Sequence, residues 1–320
     1  MTGTVDQSMM EQSPQHMVPR RYRVVHRTTY TYNKPVTDCY ERGLLSPRSC
    51  ASQQVVSTTF TVSPTASVVH EHVDYFGNLS HYLEVPDAHT TLQITKESLV
   101  DVAWPGTSIA ALNRWTLAEA VELVHRDPRH VVDKVLYELE SPKVTITDDV
   151  IAYAHTLLAP DAPLGDALAS LTLGIYRDFA YRPGATTTRT TLQQLLDLRQ
   201  GVCQDFAHLA IGCLRVMGLP TRYVSGYIET APPPGQQKLE GSDASHAWAS
   251  VLVPDGSWVD IDPTNAHFAD SRYVVNGWGR DFADVSPLKG VITTEADSSS
   301  LSVGVDVIRV GDRETLVGPA

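Results

Sequence analysis

The sequence predicts an α+β protein of two units: an N-terminal antiparallel β-sandwich-like domain, then a core in which a cysteine-bearing helix packs on an antiparallel sheet. Three observations predict it. Residues 21–103 carry short β-branched and aromatic runs and no helical periodicity of useful length. From about Leu112 to Phe179 the apolar spacing turns helical. After a further helix at 201–218 the pattern returns to short strands. Helices followed by strands, rather than alternation of the two, is the pattern of α+β folds with antiparallel sheets. In order, the chain reads as a disordered tail over 1–20, the β domain over 21–105, a helical lead-in and core over 106–295, and a last strand and tail over 296–320.

The β domain is justified piece by piece. Tyr22 to Tyr32 is rich in Tyr, Val and Thr, residues that suit a pleated, half-buried surface. Val55 to Val62 alternates with Ser and Thr. Val68 to Phe76 and Leu79 to Val85 flank Gly77-Asn78, which reads as a two-residue hairpin turn. Thr90 to Val102 continues the pattern, and Trp104-Pro105-Gly106 punctuates its end.

In the second unit Thr147 is a plausible N-cap with Asp148 and Asp149 in the first turn. Asp166 to Phe179 carries Leu168, Leu171, Ile175 and Phe179 at helical spacing, and Tyr181-Arg182-Pro183-Gly184 reads as a loop. Thr190 or Thr191 caps a short helix, each with a glutamine three residues on. Thr221 to Glu229 is a strand, and 231–241 is a Pro/Gly-rich loop. His246 to Val253 and Trp258 to Asp262 are two strands around Pro254-Asp255-Gly256. Leu301 to Val310 is a last strand with either unit open to it.

Composition narrows the function. The 320 residues are 42 % apolar and 19 % charged, enough for a substantial core. A formal charge of −12 argues against a sequence-independent grip on nucleic acid or anionic lipid, both of which need a cationic surface. The apolar runs are short, so no membrane span is expected. The first twenty residues lack the basic and apolar regions of a signal peptide. The four cysteines (Cys39, Cys50, Cys203, Cys213) show no CxxC spacing. They read as free thiols in a reducing compartment, so the cytoplasm is the expected location.

The residue that carries chemistry is Cys203, in Gly201-Val202-Cys203-Gln204-Asp205 at the mouth of the 201–218 helix. A thiol in a first helical turn faces unpaired backbone N–H groups and the positive end of the helix dipole, both of which favour the thiolate. On position alone a buried structural cysteine is an equal reading. Cys213, further along the same helix, reads as core.

A thiol nucleophile needs a histidine in reach and a third group to orient it. His208 is set aside because five residues along a helix place it about 140° around from Cys203. His246 opens a strand directly after the long loop, a position suited to a catalytic group. If the following hairpin loop is the three residues Pro254-Asp255-Gly256, then Trp248 faces Asp262. His246, Trp248, Asp260 and Asp262 then share one face, with His246 diagonal to Asp262. A two-residue loop would exchange the faces. The three-residue form is therefore predicted, with Gly256 in the left-handed conformation. Asp260 is the runner-up orienter. Trp248 and Trp258 are open between cleft lining and core, with core packing favoured for Trp258.

Four separated motifs carry a family pattern: Gly201-Val-Cys203-Gln-Asp-Phe-Ala-His-Leu, Gly218-Leu-Pro-Thr-Arg-Tyr-Val-Ser-Gly-Tyr227, Ser245-His-Ala-Trp248 and Trp258-Val-Asp-Ile-Asp-Pro-Thr-Asn265. The chain resembles the transglutaminase-like superfamily, specifically bacterial transglutaminase-like cysteine proteases with an N-terminal β domain, from about residue 20 to 292. Tyr22 to Tyr32, Asp74 to Asn78 and Phe179 to Gly184 fit the same group. The resemblance implies a papain-like core with Cys203 as nucleophile, His246 as base and Asp262 as orienter. It also implies a residue that helps hold the oxyanion, for which Tyr181 and Gln204 are candidates beside the Cys203 N–H.

The expected activity is thiol acyl transfer on amide or peptide bonds through an acyl-thioester, with hydrolysis favoured. Protein crosslinking, a non-catalytic interaction module and transfer from a small thioester donor are the rivals, the last ranked lowest because no Gly-rich phosphate loop is present. No cofactor and no metal is expected, since no compact acidic loop suited to calcium can be read. The expected partner is a protein or peptide substrate, with neither nucleic acid nor membrane, and no oligomeric state follows from the sequence.

Overall fold

The structure, a computed structural model, describes residues 10, 12–129, 131–230, 245–311 and 315–316. The part of the N-terminal segment that is described does not behave as a disordered tail. It forms a short helix, α1 (Pro14–Met17). Met10 is fully buried in the core of the second unit. Gln12 donates to the Ala269 carbonyl (2.6 Å) and accepts the Thr107 N–H (2.8 Å). An apolar plug and one amide that satisfies two backbone groups tie this polar stretch down.

The strands β1 (Arg20–Gly43), β2 (Gln53–Ser63), β3 (Val68–Val73), β4 (Leu79–Val85) and β5 (His89–Val102) follow. Strand β1 changes partners along its length. Residues 20–31 pair with β5, and 39–43 with β4. The register breaks between Thr31 and Val36, where Pro35 has no N–H to donate. β2 extends the sheet beyond β5, and β3 extends it beyond β4. One antiparallel sheet is thus bent into a half-barrel, with Tyr32, Val36, Leu83, Leu92 and Ile94 buried together inside the bend.

The β3–β4 turn departs from the two-residue form expected at Gly77-Asn78. Val73 pairs with Leu79, and the Asp74 N–H donates to Asn78 O, leaving Tyr75-Phe76-Gly77 as the loop. Gly77 supplies the left-handed residue (φ 77°). The Asp74 carboxylate accepts the N–H groups of Phe76 and Asn78 and the Asn78 side-chain amide, and that same side chain also bonds both backbone groups of Trp278.

The helical lead-in comprises α2 (Ile109–Leu112), α3 (Leu117–Arg126), α4 (Val131–Glu138), α5 (Asp148–Leu157) and α6 (Leu164–Asp178). Thr147 caps α5 by accepting the Val150 N–H. Next come β6 (Ala180–Tyr181), α7 (Leu192–Leu198), capped by Thr191 with Gln194 reciprocating, and β7 (Gln200–Gly201). The central helix α8 (Cys203–Val216) ends at Gly218 (φ 82°).

The second sheet has the order β11-β10-β9-β8-β12. Its strands are β8 (Thr221–Ile228), β9 (Ser245–Leu252), β10 (Trp258–Asp262), β11 (His267–Phe268) and β12 (Tyr273–Gly279). Alternate residues bury α8 against one face, with Phe206, Ala210 and Cys213 in one cluster with Ala247, Ala249 and Val251. The opposite face gathers Val224, Trp248, Tyr273 and Val275. The half-barrel covers the β12 edge. Gln53 trades two hydrogen bonds with Val275 (both 2.7 Å), and Asn78 bonds both backbone groups of Trp278. An edge strand so covered cannot recruit another chain.

The chain then returns to the first sheet. β13 (Leu288–Thr294) and β14 (Ser299–Val310) both pair antiparallel with β1, along residues 36–43 and 21–32 respectively. Residues 288–294 therefore belong with the half-barrel and not with the core, because β1 is long enough to need a second partner along each half. Among the described residues, no helix is long and apolar enough to cross a membrane.

Candidate active site

Local sequence fixes the mouth of α8. A Cβ on Gly201 would lie 2.8 Å from Asp205 Oδ2 and 2.9 Å from Leu195 Cδ1, so a larger residue here would push against the side chains that hold the helix start. Asp205, in the first turn, accepts the Val202 N–H (2.9 Å) and the Thr186 hydroxyl (2.6 Å), tying the loop after β6 to the helix start. Cys203 is the first helical residue and partly exposed. The segment read as a loop at Tyr181 is a two-residue parallel bridge that pairs Tyr181 with Gly201. Its parallel pairing gives no alternation signal in so short a run. Tyr181 is 55 % exposed, and burial of the rest of its ring together with the Cys203 charge pushes its phenol up. Gln204 is partly buried at the second position of α8.

The hairpin adopts the three-residue register. Ser250 pairs with Asp260 and Ala249 with Ile261, and the Val253 N–H donates to Ser257 O (3.0 Å). Gly256 takes the left-handed conformation (φ 87°). His246 Nε2 lies 2.6 Å from Asp262 Oδ2. Cys203, at the start of α8, is one of the groups that act on the His246 ring and raise its pKa. With Nε2 committed to Asp262, Nδ1 is the nitrogen left for the thiol. His246 and Asp262 are both buried.

Asp262 collects donors that the sequence did not announce. Tyr273 Oη donates to its Oδ2 (2.5 Å), as does Asn265 Nδ2 (2.7 Å). The N–H groups of Thr264 and Asn265 donate to its Oδ1 (2.8 and 3.2 Å). The backbone pair is the turn expected of an aspartate before Pro-Thr-Asn, and that motif was the available signal. Nothing local pointed to Tyr273, the first residue of β12, which the tertiary fold brings against Trp248 and Asp262.

Electrostatics follow from these contacts. Burial opposes charge on His246, but the Asp262 charge and hydrogen bond, with Cys203, raise its pKa well above 6.5. Burial would likewise raise Asp262, but the His246 charge, its hydrogen bond and the Tyr273 hydroxyl hold the carboxyl well below the usual range. The arrangement thus favours imidazolium beside carboxylate. His208 is the opposite case. It is buried beside Tyr223, accepts the Phe282 N–H (3.2 Å), and burial pushes it down to about 3. It stays neutral and structural, as the helical geometry requires. Cys213 is fully buried, which pushes its thiol up.

Two tryptophans exchange the roles considered for them. Trp248 is fully buried and donates to Asp260 Oδ1 (2.8 Å), so it does not line a cleft. It stacks on His246 with ring centroids 6.0 Å apart and meets Tyr273 edge-on at 5.1 Å, which fixes both rings. Trp258, expected in the core, lines a cavity instead. Their places differ because Trp248 lies within β9, flanked by β8 and β10, whereas Trp258 is the first residue of β10. Asp260, the runner-up orienter, lies out of hydrogen-bonding contact with His246 and serves Trp248. Among the described residues no cluster of His, Cys, Asp and Glu is arranged to hold a metal ion. The loop at 231–241 lies outside the described residues.

Two family models match the chain: the bacterial transglutaminase-like N-terminal region over residues 22–101, and the transglutaminase-like superfamily core over 151–263. The chain belongs to the transglutaminase-like superfamily. The core match contains Cys203, His246 and Asp262. An uncharacterised protein of Mycobacterium tuberculosis is 44 % identical over 296 residues, covering 90 % of this chain and 92 % of its own. A candidate cysteine protease from Cytophaga hutchinsonii shares the fold with a TM-score of 0.73 at 20 % identity, covering 93 % of each chain. A protein-glutamine gamma-glutamyltransferase of Pseudomonas aeruginosa is 30 % identical over 127 residues, 39 % of this chain and 18 % of that one. The superfamily fold is thereby established, and membership supports an enzyme at the level of the superfamily.

Proposed function

We propose that this protein is a thiol acyl-transfer enzyme that hydrolyses amide or peptide bonds, with Cys203 as nucleophile, His246 as general base and acid, and Asp262 as orienter. The observation that carries the reading is the buried His246–Asp262 pair, hydrogen-bonded at 2.6 Å, with Cys203 acting on the same imidazole from a helix start. His246 Nδ1 takes the Cys203 proton before attack, and the resulting thiolate, beside the imidazolium, attacks the carbonyl carbon through Sγ. The oxyanion develops at the α8 N-terminus, where the Cys203 N–H is free of intrahelical partners and the dipole favours negative charge. Tyr181, which feels the Cys203 charge, is the second candidate donor, ahead of Gln204. The tetrahedral intermediate collapses with the C–N bond breaking, and His246 returns the proton to the leaving amine. The same nitrogen then takes a proton from water, which attacks the thioester, releases the acid and regenerates the thiol.

Water is the favoured acceptor because it needs no site of its own, whereas an amine acceptor needs one that excludes water. Crosslinking is the second reading, favoured only by the partial likeness to a gamma-glutamyltransferase. The substrate is a protein or peptide. All four cysteines are free, which suits the cytoplasm as location. Cys203→Ala tests the reading: amidase activity on a peptide-amide library falls by at least ~10³-fold, the scale of losing a nucleophile. The unaltered protein is alkylated at Cys203 by iodoacetamide at pH 7. Retained activity in the variant together with an inert wild-type thiol would refute the assignment and favour an interaction module.

A further inference from the structure

A cavity of about 510 Å³ lies where the half-barrel, α4 and the outer face of the second sheet meet. None of Cys203, His246 and Asp262 lines it. The fully buried Trp248 stands between, bonded to Asp260 in the cavity wall on one side and stacked on His246 on the other. The volume is that of a small-molecule site.

Its walls are aromatic and fixed. Trp104 is held by a hydrogen bond from its indole N–H to Tyr273 O (2.9 Å). Tyr137 meets Trp258 edge-on at 5.6 Å and Phe76 at 6.4 Å. Arg222 stacks on two indoles, its guanidinium carbon 3.8 Å from the Trp278 ring centroid and 4.1 Å from that of Trp258. Arg48 sits 3.4 Å from the Trp278 centroid. Two guanidiniums that close to one ring cannot share a face, so Trp278 is covered on both.

Arg222 is the group this packing leaves unfinished. A guanidinium presents five N–H donors in its plane, and stacking on ring faces satisfies none of them. Its Nε is buried with no hydrogen-bond partner. Asp260 is the carboxylate that acts on it most strongly, but burial pushes that carboxyl up to about 6, and its Oδ1 accepts from the Trp248 indole. A planar cation at a cavity whose walls are mainly apolar, with Asp133 and Asp260 the carboxylates among the lining residues, matches a ligand carboxylate, which accepts two parallel N–H bonds. A cationic ligand is disfavoured, because Arg222 and Arg48 already occupy indole faces that would attract it.

We propose that this cavity binds a small carboxylic acid with a planar, apolar body, its carboxylate on Arg222 and its body against Trp104, Tyr137 and Phe76. The site is separate from the reacting thiol. Binding is therefore read on the Cys203→Ala protein, where the outcome is independent of whether the chain is a hydrolase.

Cys50 lines the cavity and is partly exposed, whereas Cys39 and Cys213 are buried. Alkylation of Cys50 thus reports occupancy. The probes are 3-phenylpropionate and its uncharged counterpart, 3-phenylpropionamide. Calorimetry follows affinity, and mass spectrometry follows the iodoacetamide rate at Cys50. The acid binds one to one, at least ~10-fold tighter than the amide, the discrimination expected of a lost charge-assisted pair, and slows Cys50 alkylation. Arg222→Met brings the acid down to the amide's affinity, and Arg222→Lys, which keeps charge but loses the fork, falls between. Equal affinity for acid and amide overturns the proposal, as does acid binding that leaves Cys50 alkylation unchanged, or no binding of the acid. The acid-against-amide contrast needs no Arg222 variant, so a misfolded variant does not remove the test.

Discussion

Asp260 and Asp262 stand two residues apart on one face of β10, both buried, with exposures of 9 % and 0 %. Depth alone would raise both carboxyls. It does so for Asp260, pushed up to about 6, with the Trp248 indole N–H as a donor. Asp262 goes the other way, because His246, Tyr273, the Asn265 amide and two backbone N–H groups all donate to it. The imidazolium contributes charge as well. Donor supply, not burial, decides which carboxylate on this strand stays ionised. The two histidines repeat the lesson: His246, beside Asp262, is raised, and His208, beside Tyr223 and a backbone N–H, is lowered to about 3.

The largest expected effect sets these two carboxylates against each other. Asp262→Asn keeps the shape and removes the charge. It lowers kcat/KM by ~10³ to 10⁴-fold, as in other triads that lose the orienting charge. Asp260→Asn, which can still accept from Trp248, costs less than about 10-fold. Equal losses would erase the distinction.

The pH profile sharpens it. The reactive pair needs protonated His246, whose raised pKa keeps it charged past 6.5, so activity falls only as pH rises through that raised value. In Asp262→Asn the imidazolium loses its partner, and the alkaline limb moves down in pH. An alkaline limb at 6.5 in the unaltered protein would contradict the contact geometry.

Smaller effects test the supports. Tyr273→Phe removes one donor to Asp262 and leaves four. A ~10-fold drop in kcat with KM nearly unchanged is expected, corresponding to one hydrogen bond to a charged group. Trp248→Phe leaves Asp260 without its indole donor and is read in thermal unfolding, with a loss of ~1–3 kcal/mol. An unchanged Tm would show that Asp260 finds another partner.

Much of this was legible because it depends on period and spacing. The register of the β9–β10 hairpin follows from one glycine able to adopt positive φ and from which residues must share a face. The cap of α7 and the start of α8 follow from local side-chain chemistry. What escaped was set by long-range placement. Tyr273 enters the site from β12, a strand whose pairing with β8 carries a bulge after Val275 and gives no clean alternation. The β6–β7 bridge is too short to show a pattern. Residues 288–294 are mostly exposed and amphipathic, and only the length of β1 reveals that it has room for them. Met10 and Gln12 look like tail residues until the groove that receives them exists.

The account rests on Cys203 forming a thioester, and intact-mass spectrometry reads that directly. The protein is incubated with a peptide-amide library, with and without a primary amine, and quenched in acid. The predicted result is a transient acyl adduct confined to the Cys203 peptide, absent in Cys203→Ala, which accumulates in Asp262→Asn if deacylation slows more than acylation, with free acid as the main product even when amine is present. Substrate turnover with no adduct on Cys203, or an adduct that forms equally in Cys203→Ala, would contradict it.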